Sequence, residues 1–589
     1  MAENKIEIIR HSTAHLIAAA VLELFPNAKF GVGPTVENGF YYDFDLPRSL
    51  TPEDLPKIDK MARQILKKNI KFVCQELDIN EAIGLFQKAD QPYKIELLND
   101  IKKFGTTDVN KQTEIKEPSN NKVSIYTLGR FVDLCRGPHI SSTQSLGAFK
   151  LTKIAGAYWR GDEKNKMLQR IYGVAFENQQ ELSDYLKLQE EAEKRDHRKL
   201  GKELDLFSMH DEAPGMPFFH PKGAIIYNKL KNFWLEAQKE FKYDIIICPS
   251  MLDVSIWKQS GHWDHYKDDM YFIKADENKT FALRPMDCPG AILIYNNSLK
   301  SYRDLPIRYA EPGLITRKEK SGQLAGLFRV QQFVQDDAHM FITEDQIESE
   351  IKDVIKLVKK IYQPFGLEYK AYLSTRPDDF MGDIKIWDKA EISLKKILKD
   401  VYGDDYGLKE KDGAFYGPKI DFQLKDSLGR TWQCATIQLD FQMPLKFNCK
   451  YIDNDGKEKT PVMIHRTIMG SFERFMGILL EHYAGALPVW LSPVQVYITP
   501  IGKNHFKASQ KIAKELESFD ISVLFDDSNE TIGYKVRKAE KQKIPYILII
   551  GDKEIKSKKL NVRMRGNIVK NMAKKKFIDK VLKEIKDKK

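Results

Sequence analysis

Cysteine is scarce in this chain, with 6 among 589 residues, at positions 74, 135, 248, 288, 434 and 449. Thiols so scattered cannot build a dense disulfide framework, and their use as buried groups or metal ligands suits a reducing compartment. No apolar run approaches the roughly 18 residues of a membrane span. The N-terminal stretch MAENKIEIIRHSTAH mixes both charge signs and has no signal-peptide apolar region. A soluble, cytoplasmic protein with no membrane partner is therefore expected. Internal repeats are missing, as are low-complexity segments other than the Lys-rich end from Lys574. No Walker or dinucleotide glycine motif stands between a strand and a helix, so any triphosphate would have to be held by side-chain cations.

What the chain does have is length and a modest excess of cations: 94 Lys+Arg against 83 Asp+Glu, a net charge of +11. That balance favours a polyanionic partner, and the length suggests roughly three to five domains. A charged helical stretch at 177–199, with Leu182, Tyr185 and Leu186 on one face, reads as a linker helix between an N-terminal domain (1–176) and a central one (200–488). The prolines of LPVWLSPVQVYITP interrupt a helix and open a strand. Beyond them, at 489–589, VQVYIT, ISVLFD and YILIIG alternate with helices over 506–518 and 534–541. That alternation predicts a small α/β domain with a largely parallel sheet. The central portion, with short strand pairs and helices such as 344–361 between them, predicts an antiparallel sheet.

Two central runs carry chemistry at a period of two. Over 327–342 the odd positions are Arg329, Gln331, Phe333, Gln335, Asp337 and His339, while Val330, Val334 and Met340 face the other way, interrupted by Gln332 and Asp336. Over 431–441 the same alternation groups Cys434, Thr436, Gln438 and Asp440. Two polar strand faces fit the floor of a cleft. Cys288, His339 and His465 are a Cys/His mixture suited to an open zinc site, which takes three protein ligands and keeps a fourth position for water or substrate. Their intervals are far too long for a zinc finger, and spacing alone cannot bring them together; the bland alternative is one buried thiol and two satisfied imidazoles. His11 and His15 are spaced i,i+4 on one face of a helix. With Cys135 and His139 they too have the composition of a zinc site.

The stretches SGHWD (260–264), CPG (288–290), QDDAH (335–339), GAFYGPK (413–419) and GSFERF (470–475) occur together in this order. By them the chain resembles the threonyl-tRNA synthetases, a family of class II aminoacyl-tRNA synthetases, over essentially its whole length. The small extreme N-terminal domain often present in that family is expected to have no counterpart in this sequence. The resemblance implies a multidomain α+β and α/β protein: an α+β editing domain, a class II antiparallel-sheet catalytic domain and a C-terminal α/β anticodon-binding domain. It implies ligation of L-threonine to tRNA(Thr) through an adenylate, with ATP and Mg²⁺, one Zn²⁺ per chain, and a homodimer formed through the region ending at Cys248-Pro249.

Site roles follow from the same resemblance. Arg317 would contact the α-phosphate and the amino-acid carboxylate, with Glu319 nearby, and Arg329 and Arg474 the triphosphate; guanidinium suits both groups because it pairs with them in bidentate fashion. Phe333 and Arg474 would sandwich adenine, with Gln433 also in the ATP site. Zinc on Cys288, His339 and His465 would serve recognition, with Asp337, Thr436 and Gln438 in the substrate pocket, Tyr416 facing the amino group and Gln335 the carboxylate. His262 would assist transfer to the terminal ribose. His11, His15, Asp133, Cys135 and His139 would form the editing pocket that hydrolyses seryl-tRNA, a domain completed by Tyr158-Trp159-Arg160-Gly161-Asp162. Asn529, Glu554 and Arg563 would contact anticodon bases, read as splayed single-stranded bases. The chain departs from the family's usual text at Asp287, Ala291 and Gln331-Gln332, and Lys318 and Lys320 flank Glu319. Two rival readings are weaker. A noncatalytic RNA-binding relative would not require three arginines placed for ATP, and a zinc hydrolase would not need the C-terminal module.

Overall fold

The computed structural model describes residues 2–107, 121–276, 279–557 and 559–589. The chain divides into two compact units, Met1–Glu190 and Glu191–Lys589. The first is built on the helix Ala2–Leu24. Its second half is almost entirely small or aliphatic, and Ala14, Leu16, Ile17, Ala18, Ala20 and Val21 are fully buried. A helix apolar all round is a core helix, and this one packs on the paired antiparallel strands Gly39–Asp45 and Met167–Phe176. A second antiparallel sheet of Phe72–Asp78, Lys122–Leu128 and Phe131–Leu134 carries Asp133 on its last strand. The loop that follows delivers Cys135 and His139.

The second unit centres on an eight-stranded sheet. Its middle strands, in hydrogen-bonded order, are Ile307–Thr316, Gln332–Ile342, Val462–Thr467, Thr431–Asp440, Lys419–Lys425 and Glu368–Ser374, each antiparallel to the next. One face carries Ala338, Met340, Ile342, Ile437, Leu439 and Ile464 into a core completed by the helices Pro221–Glu240, Ile347–Tyr362 and Phe472–His482. The other face is the cleft. The strand begins at Gln332, so Arg329 and Gln331 precede it instead of sharing its face. Asp336, an acid on the core side of that strand, accepts the N–H groups of Ile468, Met469 and Gly470 at 2.8–2.9 Å. Its burial pushes the carboxyl up to about 6 even against those donors.

A bulge corrects the second predicted face. Phe422 pairs with Ala435 and Gln423 with Gln433, leaving Cys434 as the extra residue. Cys434 consequently turns into the core, and Gln433 joins Thr436 on the cleft side, where both donate to Asp421 Oδ1, at 2.7 and 3.0 Å. Gln438 and Asp440 keep the face expected of them.

The C-terminal sheet has five strands. Val496–Pro500 runs parallel to Val523–Phe525 and Tyr546–Ile550, but Lys559–Met564 and Ile568–Ala573 are antiparallel. The largely parallel sheet expected there is thus mixed, because the turn Arg565–Asn567 is too short for a crossover connection. Among the described residues no helix is long and apolar enough to cross a membrane, and all six cysteines are unpaired.

Candidate active site

Pairing register alone sets Tyr309, His339, His465, Gln438 and Lys419 side by side across the sheet. Residues opposite one another in a ladder share a face. His339 and His465 therefore meet edge-on in the cleft, ring centroids 4.9 Å apart. Cys288 joins them from the first turn of the helix Cys288–Tyr295. The donor atoms of the three lie within 4.8 Å of one another. All three line a cavity of about 590 Å³ together with Arg317, Gln335, Asp337, Tyr416, Thr436 and Gln438.

This donor set fits a metal. His465 Nε2 lies 3.0 Å from Asp440 Oδ2, and Asp440 is held in turn by the N–H groups of Gln442 and Met443 at 2.6 and 3.1 Å. Nδ1 of His465 is left for the cluster, and a buried carboxylate behind a ligating imidazole fixes both its tautomer and its orientation. Burial, with His465 and Arg466 nearby, holds His339 well below the usual imidazole range, in its ligating neutral form. Burial and the carboxylates of Asp337, Asp287 and Asp440 push the Cys288 thiol up, an effect that a bound cation inverts. Asp440 has the spacing of the polar face but was assigned no part by the sequence; its partner was invisible until the strands were paired.

Tyr416 donates its hydroxyl to Gln438 Oε1. Arg317 donates Nε to the Pro285 carbonyl at 3.1 Å and lies 5.4 Å above the Phe333 ring. Arg329 pairs with Glu319 at 2.8 Å. Arg474 donates to the Phe328 carbonyl at 2.9 Å and to that of Gln433 at 3.4 Å. Of the ATP set, only Arg317 lies in the cavity wall; Phe333 lies against Arg317, and Gln433 shares Asp421 with the lining residue Thr436. His262 is fully buried. Its Nδ1 meets Ser260 Oγ at 2.7 Å and its Nε2 the Cys288 sulfur at 3.6 Å, and burial lowers its pKa to about 3.

The first unit holds its own cluster, in which the donor atoms of His11, His15, Cys135 and His139 also lie within 4.8 Å of one another. Here they bond to each other. Cys135 Sγ meets His11 Nε2 at 3.1 Å and His139 Nε2 at 3.3 Å, and it accepts the Gly137 N–H at 3.3 Å. His139 Nδ1 meets Ser12 Oγ at 3.0 Å. His15 lies 3.4 Å from Asp133, which Lys94 and Tyr42 also hold at 2.5 and 2.6 Å. Burial raises Cys135 to about 12 and lowers His139 to about 2.

In the C-terminal sheet region Asn529 is exposed. Glu554 accepts the Gly551 N–H at 3.0 Å, and Arg563 pairs with Glu540 at 3.0 Å. Arg565, part of the same basic run, is taken up by the carbonyls of Ala486, Leu487 and Lys543.

Three family models match the chain: the class II tRNA synthetase core domain (G, H, P, S and T) at 271–483, an anticodon binding domain at 495–586, and the threonyl and alanyl tRNA synthetase second additional domain at 123–172. A threonine–tRNA ligase of Clostridium kluyveri is 53% identical over 96% of this chain and 86% of that protein. Those of Carboxydothermus hydrogenoformans and Thermotoga neapolitana are 52% and 51% identical, each over 99% of this chain and 89% of theirs. The chain belongs to the threonine–tRNA ligase family. A crystal structure described as the RNA binding domain of threonyl-tRNA synthetase from Cryptosporidium parvum Iowa II matches with a TM-score of 0.64 at 39% identity, covering 66% of this chain and 98% of that one. A threonyl-tRNA synthetase structure from Aeropyrum pernix matches at 0.59 and 27% identity, covering 67% and 96%. This member of the family thus combines a class II core with an anticodon-binding domain and an editing-type additional domain.

Proposed function

We propose that the chain activates L-threonine with ATP and transfers it to tRNA(Thr), choosing threonine through a zinc ion held by Cys288, His339 and His465. The observation that carries this reading is the cross-strand row that brings His339, His465 and Gln438 together with Cys288 beside Arg317. Zinc would supply there a Lewis-acid position for the amino and hydroxyl groups of the substrate. Valine is nearly isosteric with threonine, and an apolar pocket distinguishes them poorly. Valine offers no hydroxyl to Asp337 and Gln438, both facing the cavity, and leaving their remaining hydrogen-bonding capacity unmet costs about 1–3 kcal/mol for each buried polar group.

The chain's own side chains then orient the reaction. Gln335 faces the substrate carboxylate and Tyr416 its amino group, with Thr436 between Asp421 and the pocket. A carboxylate oxygen attacks the α-phosphorus and pyrophosphate leaves, so negative charge accumulates where Arg317 lies; preorganised cations are the largest aid to such a step. Arg329 and Arg474, with the Mg²⁺ that accompanies ATP, take the triphosphate, and Glu319 must release Arg329 for this. Phe333 and Arg474 sandwich adenine, with Gln433 also in the ATP site. His262, buried between Ser260 Oγ and the Cys288 sulfur beside the cleft, assists transfer to the terminal ribose.

Serine retains the hydroxyl and is smaller, so a second sieve is needed. We assign hydrolysis of seryl-tRNA(Thr) to His11, His15, Asp133, Cys135 and His139 in an editing domain at 1–176, joined by 177–199 to the catalytic domain at 200–488. The domain at 489–589 reads the anticodon through Asn529, Glu554 and Arg563. Ile245 and Ile247, 44% and 88% exposed on the segment leading to Cys248, support a homodimer. The six unpaired thiols suit a cytoplasmic enzyme. Threonine-dependent ATP–pyrophosphate exchange tests the central reading: exchange with threonine and none with valine is expected, and no exchange with threonine by the folded, zinc-loaded chain would overturn it.

A further inference from the structure

Two of the three guanidinium groups assigned to ATP are placed by one turn. Residues 325–329 are closed on themselves by Phe328 N–H to Ala325 O at 3.0 Å and Ala325 N–H to Arg329 O at 3.1 Å. Arg329 projects from this turn, and the Phe328 carbonyl aims Arg474 by accepting its Nε at 2.9 Å. The Leu327 side chain enters the core, and the backbone of the turn is fastened there by His197, far away in sequence. Its Nε2 accepts the Leu327 N–H at 2.9 Å, so the ring proton sits on Nδ1, which donates to Glu481 Oε1 at 2.7 Å. The same oxygen accepts the His197 N–H at 3.0 Å. His197 and Glu481 are 2% and 3% exposed, and the imidazole packs on Phe328 with centroids 4.1 Å apart. Gly326, at φ +54°, comes so close that a β-carbon there would lie 2.3 Å from His197 Nε2.

Asp196, His197 and Glu481 have donor atoms close enough for a metal. Yet both His197 nitrogens are already engaged and Glu481 also pairs with Arg430, so a purely protein network accounts for the cluster. We propose that His197 is a positioning residue for ATP, setting the 325–329 turn so that Arg329 and Arg474 meet the triphosphate. This rests on the reading that those two arginines bind ATP.

The test is pyrophosphate exchange by full-length His197→Ala, His197→Gln and Arg474→Ala, with KM measured separately for ATP and for threonine. His197→Ala should raise KM for ATP by roughly tenfold, the effect of one buried hydrogen bond, while KM for threonine stays within about twofold. Gln, whose amide oxygen can accept the Leu327 N–H, should recover most of the loss. Equal changes in both KM values, or no recovery with Gln, would overturn the proposal. If Arg474→Ala leaves KM for ATP unmoved, the ATP reading itself fails; if it raises KM while the His197 variants do not, only the positioning role fails. Should His197→Ala not fold, Gly326→Ala drives the turn off the ring and must raise KM for ATP selectively. An unchanged value there also overturns the proposal.

Discussion

Two thiol–imidazole clusters in one chain share nearly the same composition and spread yet differ in where their donor atoms point. In the cleft, Cys288, His339 and His465 make no hydrogen bonds to one another, and His465 is turned by a buried carboxylate behind it. In the first unit, Cys135 is bonded by His11 and His139, and His139 by Ser12. Donors converging on a common point from three rigid elements suit a cation; donors satisfied by each other suit proton transfer. Proximity of ligating atoms does not by itself make a metal site. The direction of the second nitrogen on each ring decides.

The largest expected effect tests that contrast directly. Cys288→Ser or His465→Ala should lower the zinc content from one per chain to near zero and reduce threonine-dependent exchange by roughly 10³-fold, since a site that loses its polar recognition no longer favours its substrate. Elemental analysis is the measurement, and zinc retained in these variants would place it in the other cluster. Next, Cys135→Ala or the His11→Ala/His15→Ala pair should slow hydrolysis of preformed seryl-tRNA by about 10²-fold, the usual scale for losing general acid–base help, with threonine exchange unaltered. Clearance at the wild-type rate would make that cluster structural.

Smaller is the change expected for Asp440→Asn, which keeps the shape of the carboxylate but weakens its hold on His465. Zinc affinity should fall by about 10–100-fold, measured by competition with a chelator; unchanged affinity would remove the orienting role. The smallest effect is on acid stability. His139 titrates at about 2 in the folded chain against an ordinary 6.5, so between those values the unfolded chain binds more protons. The stability is complete well above pH 6.5 and is lost as the pH falls, by about 1.4 kcal/mol at pH 5.5. His139→Gln should flatten the slope of unfolding free energy between pH 7 and 5.5; an identical slope would show that the residue does not contribute.

Much of this was legible from residue order, because a period of two is a local property. Gln335, Asp337, His339, Gln438 and Asp440 lie on the cleft face that alternation assigned them. What alternation could not supply was partnership across strands. That His339 stands opposite His465 follows from register over a separation of more than a hundred residues, and this pairing brings together donors that residue order had grouped only by type and resemblance. Asp336 looked like an interruption of the core face because its three N–H donors lie in a distant turn. Cys434 was placed on the wrong face because the extra residue of a bulge leaves no mark on a hydrophobic pattern. His197 escaped notice altogether, its partners being the backbone of one loop and a carboxylate at the far end of a helix.

That bulge also constrains how the gene can change. Upstream of Cys434 the strand alternates in one phase, and downstream in the other. Removing the codon of Cys434 would let Gln433, Ala435 and Thr436 alternate without a bulge, both polar groups still on the cleft side, whereas removing that of Ile437 would turn either Thr436 into the core or Gln438 and Asp440 away from the cleft. Lineages of this sequence should therefore tolerate loss of the residue at 434 far better than any other change in the length of the strand.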